Sequence, residues 1–418
     1  MPELPSLPRR PMSRRRFLQR AGAAAVATPS LAAILAACAK PGALPPGVTL
    51  LQPARQNRPV TLPLYGREPV ATDVPIEKGA TLQVFNWADY LYKKTLREFQ
   101  DQFGVTVEYT TYNNMEEGIA KIRSGQIAPD VFFTDIDKLN KLVEAQLLQP
   151  LNHDLIPNLD ANVWPVYQNP FYDQGWRYTV PYVTWTTGIG YRRDHLSDDE
   201  VSTKGYDILW DTKYQGRTGI YDDYRAALSM SLLKNGITDV NTGDEADLKL
   251  AADDLVRLID TTNARVGINN AYVPLPADDL WVVQAWSGDM AGAQYYLPKG
   301  VPTSVLGYWY PPNRKGSVNN DTMTIPLSSQ HPVLAHAFLN FMLSKKYSFE
   351  NFADWVGYQP PQNSINPNSL IADKVIPASM PDAVVRQTDF TTGYLELELD
   401  KNTDQLWFDA WDEVTSGG

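Results

Sequence analysis

Only one cysteine, Cys38, occurs in 418 residues, so no intramolecular disulfide is possible and the fold must be held by its apolar core. Histidine is almost as scarce: His153, His195, His331 and His336 show no metal-ligand spacing. No Gly-rich phosphate loop and no Ser/His/Asp grouping stands out, so the sequence carries no recognisable signature for phosphate binding or nucleophilic hydrolysis. Basic residues are in deficit, 37 against 48 acidic ones. That balance disfavours nucleic acid, whose affinity rests on cationic contacts with phosphates, and favours encounter with cations. No run after the N-terminal leader is apolar and long enough to cross a bilayer. Aromatic residues are abundant instead: 11 Trp, 22 Tyr and 13 Phe, serving burial and, where exposed, flat binding walls.

The lone cysteine closes an arginine-headed leader. Arg14, Arg15 and Arg16 precede a weakly apolar, alanine-rich run over residues 21–37 that is too short to span a bilayer as a stable helix. Such arginines resemble the signal that exports already folded proteins, and Leu35-Ala36-Ala37-Cys38 is similar to the box cleaved and lipidated in bacterial lipoproteins. Residues 1–37 are therefore expected to be a targeting signal, with Cys38 the lipidated start of an extracytoplasmic chain tethered to a membrane. A structural cysteine after an uncleaved stretch is the alternative. Without residues 1–37 the chain loses six arginines and one glutamate, leaving 31 basic and 47 acidic residues, a net charge of −16. In residues 38–78, eight prolines from Pro41 to Pro75 break any helix or strand, which predicts an extended spacer with order beginning near Thr81.

Beyond the spacer, periodicity alternates. Residues 82–85 read as a strand, and Leu91, Thr95, Leu96, Phe99 and Phe103 recur at helical spacing until Gly104. Residues 105–109 alternate as a second strand, 115–124 form a helix, 130–133 a continuous apolar strand and 137–145 another helix. This β-α-β-α-β order predicts a doubly wound parallel sheet with ligands at the carboxyl ends of its strands. Residues 178–191 then form a long extended passage, read as a crossover into a second lobe holding helices over 229–235 and 244–260 and the segment 281–294. A second extended run at 321–326 reads as the return strand. An amphipathic helix at 331–344 leads back to the first lobe, and a helix at 405–414 closes the second. Two lobes joined by extended crossings make a hinge, with the cleft between them the default ligand site.

Phe85-Asn86-Trp87-Ala88-Asp89-Tyr90, Leu209 to Gly216 ahead of Asp222-Asp223-Tyr224-Arg225, Trp286-Ser287-Gly288-Asp289 and Gly357-Tyr358-Gln359-Pro360-Pro361 occur in an order that resembles the spermidine/putrescine-binding proteins of bacterial ABC importers, from about residue 82 to 412. The resemblance implies an α/β fold of the two-lobe periplasmic-binding-protein type (type II), its doubly wound sheets joined by a hinge. The lobes are expected at 79–187 plus 322–372 and at 188–321 plus 373–418. It also implies a non-enzymatic, monomeric receptor without cofactor that hands a small cationic amine to an ABC permease.

A polyamine's ammonium arrives charged and loses its hydration on entering a cleft, so carboxylates must meet each nitrogen while the methylenes seek apolar area. A cation over an indole face adds about 0.5–2 kcal/mol. By the resemblance, Trp87 and Trp286 stack on the ligand, Asp89, Asp223, Asp289 and Asp321 meet its nitrogens, and Tyr90 and Tyr358 line the cleft. Thr134 could offer a hydroxyl. Each has a structural alternative: core packing for the tryptophans and Tyr358, an N-cap for Asp89 on a helix beginning near Leu91, a helix-dipole partner for Asp289, and a local hydrogen bond for Thr134. Two departures matter. Where spermidine receptors carry Asp-x-x-Glu, this chain has Asp223-Tyr224-Arg225-Ala226, and Asn319 replaces an aromatic two residues before Asp321; both weaken the case for a long triamine and leave a shorter diamine or another amino-bearing solute as easily accommodated. The alternatives from other classes are an exported carbohydrate-active hydrolase, which needs a paired acid and nucleophile, and a ferric-ion receptor using Tyr295 and Tyr296, whose side chains on one helix would diverge by about 100°.

Overall fold

The computed structural model describes residues 51–416; Cys38, the leader and residues 38–50 lie outside the described residues. The first lobe begins with β1 (Thr81–Trp87), α1 (Lys93–Phe103), β2 (Thr106–Tyr112), α2 (Met115–Arg123), β3 (Val131–Asp135) and α3 (Leu139–Glu144). Gly104 ends α1 in the left-handed conformation, φ 67°, and Asn114 caps α2 by accepting from Glu117 N. The chain then crosses in β4 (Val180–Arg192), a 13-residue strand. The second lobe holds β5 (Thr218–Ile220), α4 (Tyr224–Lys234), α5 (Glu245–Thr262), β6 (Arg265–Val266), β7 (Val282–Trp286), α6 (Ser287–Ala293) and β8 (Leu306–Trp309). The chain returns in β9 (Ser317–Thr324) and continues through α7 (Pro332–Met342), β10 (Tyr394–Leu395) and α8 (Lys401–Ser416).

The strand order is β2-β1-β3-β9-β4-β7-β5-β6, with β8 on β4 and β10 on β9. Each outer part is parallel: β1 pairs with β2 and β3, and β5 with β6 and β7. Between them β4 and β9 run antiparallel to each other and to β7 and β3, with β10 parallel to β9, so two crossing strands link two doubly wound halves. Three apolar cores follow this division. One gathers β1, β3, α1 and α7 around Phe85, Phe99, Phe132 and Phe338. The second packs α4, α5 and α8 around Trp407, and the third lies around Met290, Tyr308 and Phe352.

The proline-rich stretch differs from its expected form as a free spacer. Residues 51–80 form no helix or strand, yet they are strapped to the first lobe, because proline leaves carbonyls and side chains to make the contacts that its missing N–H cannot. Leu62 is fully buried, Arg177 Nη1 donates to Leu62 O at 2.6 Å, Tyr178 Oη to Pro63 O at 2.7 Å, and Val60 exchanges bonds with Phe171 and Gln174. Glu77 accepts from Val333 N and Leu334 N at 3.2 and 2.8 Å, closing the amino end of α7. Order therefore starts well before Thr81. Leu62→Ala should lower stability by about 3 kcal/mol and Glu77→Ala by about 1 kcal/mol in denaturant unfolding; unchanged midpoints would return this stretch to the role of a spacer.

Candidate functional site

The carboxyl ends of β1, β3, β5 and β7 converge beside the crossing strands, where such sheets bind ligands. Asp289 enters from the second lobe on the first turn of α6. It is 8% exposed and accepts from Tyr221 Oη at 2.7 Å and Tyr358 Oη at 2.6 Å. Tyr221 Oη also accepts from Trp286 N at 2.8 Å, which fixes its direction. Burial pushes the Asp289 carboxyl up to about 6, against the pull of the two tyrosine hydroxyls. Gly288 is required here: a Cβ would lie 2.2 Å from the Tyr358 ring, so any larger residue displaces the tyrosine that holds its neighbour.

Asp321 sits in β9, 4% exposed. Its Oδ2 accepts from Tyr90 Oη at 2.8 Å, and the Asp135 carboxyl lies within hydrogen-bonding reach of it. Directly across the β3–β9 ladder stands Asp135, so the two carboxyls share one face. Burial raises both; Asp135, which also faces the charges of Asp321 and Asp137, keeps its proton to the higher pH. The same face continues along the crossing strands, where Trp185 pairs with Asn319. Among the described residues no Lys, Arg or His nitrogen lies within 4.0 Å of the carboxylates of Asp89, Asp223, Asp289 or Asp321.

Aromatic rings join the two acids. Trp286 stacks on Tyr221, centroids 4.0 Å apart at 20°, and meets Trp185 edge-on at 6.4 Å. Tyr358 meets Trp185 at 6.0 Å and Tyr90 at 5.2 Å, and Tyr90 meets Trp87 at 5.6 Å. Trp87, Trp185 and Trp286 each stay partly exposed. The ring wall therefore runs from Asp289 through Tyr358 and Tyr90 to Asp321.

Of the residues read from sequence, Trp87, Tyr90, Trp286, Asp289, Asp321 and Tyr358 come together. The others sit apart from this group. Asp89 is exposed in the turn after β1, at φ 57°, where its carbonyl accepts from Trp355 Nε1 at 2.9 Å. It does not cap α1, whose N-cap is Tyr92 without a side-chain bond. Asp223 caps α4, its Oδ1 accepting from Ala226 N at 2.9 Å, and this cap starts the helix at Tyr224, five residues before the expected Ser229. Thr134 lies on the strand face opposite Asp135 and donates to Asp135 O at 3.1 Å. Tyr295 and Tyr296 continue α6 as a 3-10 turn, and among the described residues no three His, Cys, Asp or Glu side chains converge as a metal-ligand set. Sequence reading missed Trp185, Tyr221 and Asp135. Trp185 supplies an aromatic across the ladder from Asn319, a pairing invisible without register. Asp135 was findable, as an acid closing a buried strand at its carboxyl end.

A two-lobed α/β body whose acids and rings converge at the crossing strands is the architecture of ligand-capturing proteins. The profile of bacterial extracellular solute-binding proteins matches residues 94–378, and the chain belongs to this family. A putrescine/cadaverine-binding protein of Pseudomonas aeruginosa is 26% identical over 310 residues, covering 73% of this chain and 86% of that protein. The spermidine/putrescine-binding periplasmic protein of Escherichia coli K12 is 25% identical over 287 residues, 67% of this chain and 77% of the relative. In fold, the spermidine/putrescine ABC transporter substrate-binding protein of Streptococcus pneumoniae superposes with a TM-score of 0.64 at 23% identity, over 81% of this chain and 99% of that one.

Because the folded state holds the Asp289 proton up to about 6 and the ordinary value is 3.8, the unfolded chain ionises first as pH rises. The Asp289 contribution to stability should therefore fall between about pH 4 and 6 and level off above. In ligand-free protein, Asp289→Asn should lack up to about 3 kcal/mol of that fall. Denaturant unfolding of both proteins across pH 4–7 measures the difference; parallel curves would remove the assignment.

Proposed function

We propose that the protein is the extracytoplasmic receptor of an ABC importer and that it captures a short polyamine in the interlobe cleft. The observation that carries this reading is the pair of buried carboxylates, Asp289 on the second lobe and Asp321 on the crossing strand β9, served by tyrosine hydroxyls and by no protein cation. An ammonium supplies the missing charge, displacing the proton that Asp135 and Asp321 hold between them. Trp87, Trp185, Trp286 and Tyr358 cover the methylenes. Closing the lobes about β4 and β9 desolvates the ion pairs, which strengthens them. The relatives' polyamine ligands support the same chemistry.

We assign Cys38 as the lipid attachment point after export of the folded chain, leaving a monomeric receptor at the membrane beside its permease. Asp89 and Asp223 lie apart from the paired acids and serve as outer carboxylates, Asp223 dividing its charge between helix cap and solute; Thr134, turned to the opposite face of β3, takes no part.

Titration calorimetry with putrescine should give tight, enthalpy-bearing binding that falls by roughly 100-fold in Asp289→Ala and Asp321→Ala, since each leaves a buried ammonium without counter-charge. Unchanged affinity in both variants would exclude this site. Affinity should also weaken as pH drops below about 7, where first Asp321 and then Asp289 takes up its proton. For the anchor, mass spectrometry of the detergent-extracted protein should find acyl chains on Cys38 and no residue before it.

A further inference from the structure

Resting on the amine reading above, the same cleft also limits how long the amine can be. Lys138 is 6% exposed and stands at the end of the 3-10 turn Ile136–Lys138 that follows β3. Its Nζ lies 3.2 Å from Asp137 Oδ2 and 3.5 Å from Glu116 Oε1. It also reaches the second lobe, donating to Tyr224 Oη at 3.1 Å and lying 5.5 Å from the centroid of that ring. Tyr224 Oη in turn donates to Asp404 Oδ1 at 2.8 Å. Carboxylates, a phenol and a ring face around one dehydrated ammonium are what a polyamine nitrogen requires; here a side chain of the protein fills that environment. Burial by itself would lower the Lys138 pKa, but Asp137, Tyr224, Glu116 and Asp404 outweigh it and raise it.

This cluster continues the acidic face of the site. Asp135 is the residue from which the turn begins, and at about 2 Å of rise per residue Lys138 follows it by roughly 6 Å along the chain axis. The two ends differ in one respect. Asp321 has no protein cation within 4.0 Å, whereas Lys138 already neutralises the far end.

We propose that Lys138 is a length-setting residue, its ammonium occupying the far end of the acidic row so that the cleft takes a short diamine between Asp289 and Asp321 and excludes the additional amino group of a triamine. A third ammonium arriving there meets a like charge and finds Asp137 and Glu116 engaged.

Titration calorimetry of the wild type and Lys138→Ala with putrescine and spermidine tests this. The wild type should prefer putrescine, and in the variant the spermidine-to-putrescine affinity ratio should rise at least about tenfold, with putrescine affinity changed less than about threefold. Because the variant leaves buried acids unpaired, thermal melting with propylamine is read alongside. The small ammonium should raise the melting point of Lys138→Ala more than that of the wild type, and folding of the variant only in its presence supports the same role. An unchanged ratio, or a variant unfolded with and without propylamine, overturns the assignment and makes Lys138 a structural ion pair. A wild type that binds neither amine overturns the polyamine reading itself, which separates the two failures.

Discussion

An ionised carboxylate withdrawn from water needs donors and counter-charge, and Asp289 and Asp321 receive only donors. Tyr221 and Tyr358 hold the first, Tyr90 the second. Hydroxyls orient a carboxylate without neutralising it, so burial keeps both acids reluctant to ionise until a cation arrives. That constraint explains the aromatic density around them. The rings that deliver the hydroxyls also form the wall, and the glycine at 288 exists because Tyr358 must pass within contact distance of the backbone to reach its acid.

The position of these acids depends on the crossing strands. Asp321 lies in β9, between β3 of the first lobe and β4, and Asp289 follows β7, which pairs with β4 in the second. Tyr358 packs in the first lobe's core yet donates to Asp289 of the second, so this bond spans the two lobes. The strap of residues 51–80 secures the first lobe from outside, through Leu62 in the core and Glu77 on α7.

Much of the fold was legible. The alternating strands and helices from Thr81 to Ala145, the long crossing at 180–192 and the return strand all follow from period and from glycine stops, and the observed bounds differ from the expected ones by a few residues. The larger discrepancies come from chemistry that period does not report. Asp223 lengthens α4 by capping it, and the prolines between 53 and 75 anchor a strap through carbonyls. In the site, Trp87, Tyr90, Trp286, Asp289, Asp321 and Tyr358 could be named from order and residue type. Trp185 could not, because it replaces the absent aromatic at Asn319 only through the register of β4 on β9.

The sequence by itself determined the class of element at each stretch, the acidic balance, the absence of disulfides and the pool of rings and acids from which a site could be built, since these depend on local spacing and composition. Tertiary structure alone decided which acids are served by tyrosines and that Lys138 fills a carboxylate cluster shared by both lobes. Those outcomes depend on side chains more than 60 residues apart meeting at hydrogen-bond distance, Tyr221 with Asp289, Tyr358 with Asp289 and Tyr90 with Asp321, and only strand register and the crossing of the chain bring them there.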